Sequence, residues 1–280
     1  MPEPKLGYNY VFECKKPLEA AYRLIGYHDE FDLTQKDEYD TRPYLPDRFV
    51  TDPYECKLNI MNVRIYEFST KCMPVTLEPL QWFYLTSLDA LQKFELGIVD
   101  VKNTKYSHSA SAVIKSVTFD IPENGVCECT MDFSCEGFDR NSDIDYATEE
   151  AEYGHLPTTK PLSTRSLTDV SWNAIPLPVS KISIKIEYEV EEQWDSEVEE
   201  MNYYIKGRNV TVEFDLTEAP DAFITAINNS DSGDLTATIG GQVITITGVI
   251  FPENNLGVKA GEVVTETFSS LSAKGITFGF

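Results

Sequence analysis

Three of the six cysteines fall within nine positions of the stretch "SVTFDIPENGVCECTMDFSCEG", residues 116–137. Thiolates bind metals and carry redox chemistry, so this is the first place to look for a reactive centre. The residues around the sulfurs alternate strictly. Cys127, Cys129, Met131, Phe133 and Cys135 share one parity, and Glu128, Thr130, Asp132, Ser134 and Glu136 share the other. Successive side chains of a strand point to opposite faces, so the pattern predicts a half-buried strand with its sulfurs on the apolar side. Zinc sites favour paired Cys-x-x-Cys knuckles, and the C-x-C-x5-C spacing here has no fourth ligand nearby. Free cysteine packs as a small hydrophobe. With Cys14, Cys56 and Cys72 scattered elsewhere, the sulfurs read as core filling rather than as a metal or redox site.

Other candidates for chemistry are equally thin. Asp139, Asn141, Asp143 and Asp145, followed by Glu150, copy the oxygen spacing of a calcium-binding loop. Ile144 stands where the sharp turn of such a loop needs glycine, and a strand precedes it, so a solvated acidic loop is the expected reading. The three histidines, at 28, 108 and 155, are isolated. No Gly-x-Ser-x-Gly, His-Glu-x-x-His or phosphate-cradling glycine loop occurs. Paired carboxylates are abundant, but an acidic chain supplies them by chance. The expectation is a protein without catalytic residues, metal or cofactor.

The 280 residues carry 23 Lys+Arg against 46 Asp+Glu, a net charge of −23. Such a surface repels phosphate and argues against sequence-reading nucleic-acid binding. An acidic wall has another use, because a polyanion slides past it without sticking. At 42% hydrophobic and 12% aromatic the chain can bury a sizeable core. No apolar run is long enough to span a bilayer, and the start "MPEPKLGYNYVFE" lacks a basic-then-apolar leader, which predicts folding in a cytosol and no membrane partner.

The elements that would position these residues occur twice. A strand over 113–121, the turn Pro122-Glu123-Asn124-Gly125 and the cysteine strand form one hairpin. "QVITITGVIFPENNLGVKAGEVVTETFSS" (242–270) reads as a second, turning at Pro252-Glu253-Asn254. Upstream, Asn62 to Phe68 matches Asn209 to Phe214, and each strand leads into a helix, 77–97 in the first half and 218–229 in the second. In the second half Ile182, Ile184, Ile186, Tyr188 and Val190 share a parity, and 208–216 is the partner strand. Between them "EEQWDSEVEEMNYYIKG" (191–207) reads as a long loop, matched in the first half by "DEFDLTQKDEYDTRPYLPDRFVTDPYE". The shared order of elements predicts an internal duplication. Its units are 1–137 and 169–280, joined by a polar linker at 138–168.

The order of these elements resembles that of the tail tube proteins, also called major tail proteins, of long-tailed viruses of bacteria and archaea. The likeness is carried by "RLIGYHDEF", "NVRIYEFSTK" with its helix, "SVTFDIPENGVCECTMDFSCEGF", "LTDVSWNAIPLPVSKISIKIEYEV" and the closing "GEVVTETFSSLSAKGITF". The resemblance implies a mainly β fold of two tandem sandwich or barrel-like modules, each with a flanking helix. Sheets of neighbouring chains would join into a closed barrel, stacked ring on ring into the virion tail and assembled in the host cytoplasm. Glu128, Asp132, Glu187 and Glu189 would line the lumen and let DNA slide without specific binding. Residues 191–207 would reach the next ring through Glu191, Glu192, Trp194, Asp195, Glu197, Glu199, Glu200, Tyr203 and Tyr204, with the aromatics as anchors. Two units per chain imply a trimeric ring with pseudo-six-fold symmetry first and a hexameric ring second. The tape measure and tail terminator are the implied partners at the tube ends. The competing reading is a β-sandwich that binds carbohydrate or acts as an adhesin, with Trp194, Tyr203 and Tyr204 stacking on sugars.

Overall fold

The computed structural model describes residues 10–15, 23–24, 26–43, 57–84, 93–100, 105–137, 139–143, 160–195, 200–257 and 265–279. Its first run of elements is β1 (Tyr10–Lys15), β2 (Arg23–Leu24), β3 (Gly26–Pro43), β4 (Lys57–Pro74), α1 (Glu78–Phe83), β5 (Phe94–Asp100), β6 (Lys105–Ile121), β7 (Glu128–Cys135) and β8 (Asp139–Asp143). The second run is β9 (Leu167–Trp172), β10 (Ile175–Pro176), β11 (Val179–Asp195), β12 (Glu200–Leu216), α2 (Asp221–Asn228), β13 (Gly233–Ile239), β14 (Gln242–Val249), β15 (Glu253–Gly257), β16 (Thr265–Ser269) and β17 (Gly275–Gly279). The fold is mainly β, antiparallel and sandwich-like, with open sheets.

One path of neighbours runs β3-β4-β7-β6-β11-β12-β16-β15. β1, β2, β5 and β8 attach around the first part of β6. β10, β9, β13, β14 and β17 form a separate five-stranded sheet.

The pairings of the first run recur in the second. β1 pairs β2 and β5 as β9 pairs β10 and β13. β3–β4 and β4–β7 correspond to β11–β12 and β12–β16. β5–β6 and β6–β8 correspond to β13–β14 and β14–β17, and β6–β7 to β15–β16. Three register shifts of each run fall at matching places too, while those at Thr236/Thr238, Ile114/Ser116 and Tyr106/His108 have no counterpart. His28/Glu30 and Glu38/Tyr39 in the first long hairpin answer Val179/Lys181 and Glu189/Val190 in the second. Phe94/Leu96 answers Gly233/Leu235. These bulges place Leu33 in the position of Ile184, Arg64 in that of Arg208 and Ser116 in that of Glu253. Sequence matching alone aligns Asn62 with Asn209. The bulges put Lys206 in that position, because an extra residue in one strand fixes register more firmly than a shared dipeptide does.

Three further expectations are corrected. The helix expected over 77–97 stops at Phe83, Tyr84 is already extended, and β5 begins at Phe94. There Phe94, Leu96 and Ile98 turn inward with strand period, so two-residue alternation overrides the helical spacing further upstream. The second hairpin, at Pro252-Glu253-Asn254, does not form. β14 pairs β13 and β17, β15 pairs β16, and Glu253 and Asn254 lie within β15. Pro252 has no N–H to donate and Phe251 is buried, so the chain breaks here and passes from one sheet to the other. The first-half loop expected from Asp29 onward is instead strand through Pro43.

Both ends of the expected 138–168 linker are built into the fold. Residues 139–143 pair with β6 as β8, so Asp139, Asn141 and Asp143 lie along a strand. Leu162 is buried; its N–H donates to the Pro74 carbonyl, and its own carbonyl accepts from the Cys127 N–H, both at 2.8 Å. Residues 144–159, which include Asp145 and Glu150, lie outside the described residues.

The core holds two aromatic clusters, each receiving one phenylalanine from a helix. Phe83 of α1 packs edge-on against Phe94 and Phe133, near Phe12 and Phe68. Phe223 of α2 packs with Trp172, Phe214, Phe251 and Phe268. The halves meet without a gap. Val117, Phe119 and Ile121 of β6 stand opposite Ile186, Ile184 and Ile182 of β11, all fully buried. The Tyr188 hydroxyl donates to the Phe83 carbonyl at 2.7 Å, the Ile276 N–H donates to the Tyr84 hydroxyl at 3.0 Å, and the Arg208 guanidinium lies 4.2 Å over the Tyr84 ring.

Cys127, Cys129 and Cys135 are buried free thiols, as the alternation predicts, and so are Cys14 and Cys72, while Cys56 lies outside the described residues. Burial pushes the thiols of Cys127 and Cys135 up to about 12. A hydrogen bond with Cys72, and then burial, raise that of Cys129. In a Cys56→Ser background, thiol reagents at neutral pH should therefore label the native protein only after unfolding; rapid native labelling would contradict this packing. The linkage has a definite sign. The unfolded chain loses these protons near 9, whereas the folded one retains them, so stability should fall as pH rises from about 9 toward 12. Urea midpoints across that range would measure the fall.

Candidate assembly surface

The eight-stranded path has two unlike faces. On the apolar side, Cys72, Cys129, Phe119, Ile184 and Val212 stand opposite one another from strand to strand, each at most 1% exposed. On the other side a row of polar residues crosses six strands: Asp32, Ser69, Asp132, Ser116, Glu187 and Asn209. Two residues along, the row is Glu30, Lys71, Thr130, Thr118, Lys185 and Thr211. A depression of about 400 Å³ opens here, lined by Asp32, Thr34, Glu67, Ser69, Lys115, Ser116, Asp132 and Glu187 together with Phe68, Phe133 and Tyr188.

All four expected lumen acids share the parity of this face: Asp132 and Glu187 stand in the first row, and Glu128 and Glu189 lie further along β7 and β11. Glu189, two residues beyond Glu187 on the same strand, is exposed. Asp132 accepts hydrogen bonds from the hydroxyls of Ser69 and Ser116, at 2.6 and 2.5 Å. Glu128 pairs with Lys71 at 2.8 Å and Glu187 with Lys185 at 2.5 Å. Further along β11, Glu192 pairs with Lys115 at 3.1 Å. The face is thus a mixture of acids, hydroxyls and lysines rather than an unbroken anionic wall. Half-exposed pairs of this kind contribute little to stability, so their effect lies in the local charge.

The long loop expected over 191–207 is replaced by the end of a hairpin. β11 and β12 stay paired out to Asp195 opposite Glu200, and only 196–199 connect them. Tyr203 lies opposite Glu192 and is 1% exposed, so it is part of the packing and not an accessible anchor. Burial raises its hydroxyl pKa. Tyr204 is 50% exposed. Glu191 pairs with Lys206 at 2.6 Å, which raises the lysine pKa. Trp194, Asp195 and Glu200 occupy strand positions at the hairpin end, while Glu197 and Glu199 fall outside the described residues. The burial of Tyr203 also removes one of the three aromatics on which a sugar-stacking surface would rely.

The sequence reading missed the two margins of the path. Among the described residues β3 pairs only with β4, and β15 only with β16. A long strand with an unpaired backbone edge is a template for another chain. β3 is rich in charge, and exposed at Glu30, Asp32, Thr34 and Gln35. Charge of that kind is the usual mark of an edge strand, and it is the signal that could have identified β3. Compared with protein-family models and with curated proteins, the chain matches none.

Proposed function

We propose that this chain is a structural virion protein whose open sheets join between copies into a ring, and that stacked rings form the hollow tail tube through which viral DNA passes. The observation that carries the reading is the junction between β6 and β11. There the last strand of one four-stranded set pairs with the first strand of the next, and the path then ends at β15 and β3, which hold the corresponding positions and, among the described residues, pair on one side only. The matching pairings and bulges of the two runs support a tandem duplication, so one chain would supply two units of a closed barrel.

A ring of three chains, pseudo-six-fold, would then carry roughly 24 strands. Spaced about 4.8 Å apart and tilted about 40°, they describe a cylinder roughly 48 Å across, beyond the roughly 16–18 strands at which barrels already hold an aqueous channel. A ring of six chains would double that width. The apolar face packs outward on the helices and second sheet, and the polar face lines the bore. Its hydroxyls and acids give passing DNA few cationic contacts, and the lysines within it are held by carboxylates. The β11–β12 hairpin would project toward the adjacent ring, with tape measure and terminator proteins at the ends.

Negative-stain microscopy of the purified protein over a rising concentration series tests the reading. Rings or hollow rods are expected. A monodisperse monomer at every concentration would remove it.

A further inference from the structure

The two unpaired margins also fix how neighbouring copies would meet. β6 takes β11 as its antiparallel neighbour in a defined register, with Ile121 opposite Ile182, Phe119 opposite Ile184, Val117 opposite Ile186 and Ser116 opposite Glu187. From Ser116 to Phe119, the β6 residues of that junction have counterparts on β15, and their β11 partners have counterparts on β3, the two strands that among the described residues pair on one side only. β15 holds the place of β6: it pairs with β16 in the register in which β6 pairs with β7, so Ser116 corresponds to Glu253 and Phe119 to Leu256. β3 holds the place of β11, and the two matching bulges set Leu33 in the position of Ile184 and Lys36 in that of Glu187.

Resting on the tube reading, we propose that β15 of one copy pairs antiparallel with β3 of the next, with Leu256 opposite Leu33 and Glu253 opposite Lys36. The partner is a second copy of this chain, joined head to tail, and repetition of that contact closes a ring. The register is chemically consistent. It sets an acid against a base and a leucine against a leucine, with Asn254 against Gln35 and Asn255 against Thr34 between them. A slip of one residue along β3 would place Glu253 against Asp37, two like charges directly opposite. It would also turn each side chain toward the wrong face of its partner. The seam is therefore more polar than the buried β6–β11 junction, as suits an edge that must remain soluble before it meets its partner.

The test uses the full chain in a Cys56→Ser background, since the other five thiols are buried. Leu33→Cys and Leu256→Cys are placed on separate preparations and mixed under mild oxidation. An intermolecular disulfide between the two variants, and its ladder ending at a closed ring when both substitutions share one chain, is expected. A control pair, Leu33→Cys with Asn254→Cys, should give much less. Independently, Lys36→Glu should raise the concentration needed for ring formation roughly threefold per seam, and adding Glu253→Lys should restore it. If rings form but the control pair links better, or the double charge exchange rescues nothing, this register is wrong while the tube reading stands. If the unsubstituted protein never forms rings or rods, the tube reading fails and the seam with it.

Discussion

Phe214→Ala is expected to lower the free energy of unfolding by about 3–5 kcal/mol, the range for deleting a fully buried aromatic ring. Phe214 is 1% exposed and packs within 5.1–6.0 Å of Phe251, Phe268 and Phe223, measured between ring centroids. It lies on β12, whose neighbours β11 and β16 leave little freedom for the backbone to collapse into the space vacated. Leu271→Ala, at a position 52% exposed, is the matched control and should change stability by less than about 0.5 kcal/mol. Urea denaturation followed by tryptophan fluorescence measures both. Equal midpoints for the two variants would mean that the second aromatic cluster is not the core drawn here.

Ile184→Lys should have an effect of similar size and a different character. Ile184 stands between Phe119 of β6 and Val212 of β12, fully buried, where the two halves of the chain meet. An unpaired ammonium there must be desolvated or driven out, at a cost on the order of 4 kcal/mol. Because this row is the seam between halves, the loss should appear as uncoupling. Calorimetry of the parent protein should give one cooperative transition, and that of the variant two, or one much broadened. An unaltered single transition would show that the halves do not depend on this junction.

The alternation in the sequence was enough to assign the cysteines. A strand that is apolar on one parity and polar on the other has only one stable orientation beside a core, so the burial of Cys127, Cys129 and Cys135 followed without coordinates. The strands β6, β7, β11 and β12 and the helix α2 were legible for the same reason, and so was the polar parity that carries Glu128, Asp132 and Glu187. The margins were not. The sequence pattern predicts loop for most of β3 and a turn at the first residues of β15, because an edge strand has a neighbour on one side only and its composition is set by solubility as much as by packing.

The sequence by itself determined the mainly β class and the inward parity of its alternating strands, since both are carried by local periodicity. The tertiary structure alone decided the rest. It converted the expected 191–207 loop into a paired hairpin, buried Tyr203 while leaving Tyr204 in solvent, and broke the chain at Pro252 between β14 and β15. Among the described residues it also left β3 and β15 as the open ends of one path. Pairing between strands far apart in the chain is a property of which backbones have hydrogen-bonding groups to spare; a local pattern such as the charge of β3 can mark an edge but does not say which strand lies beside it.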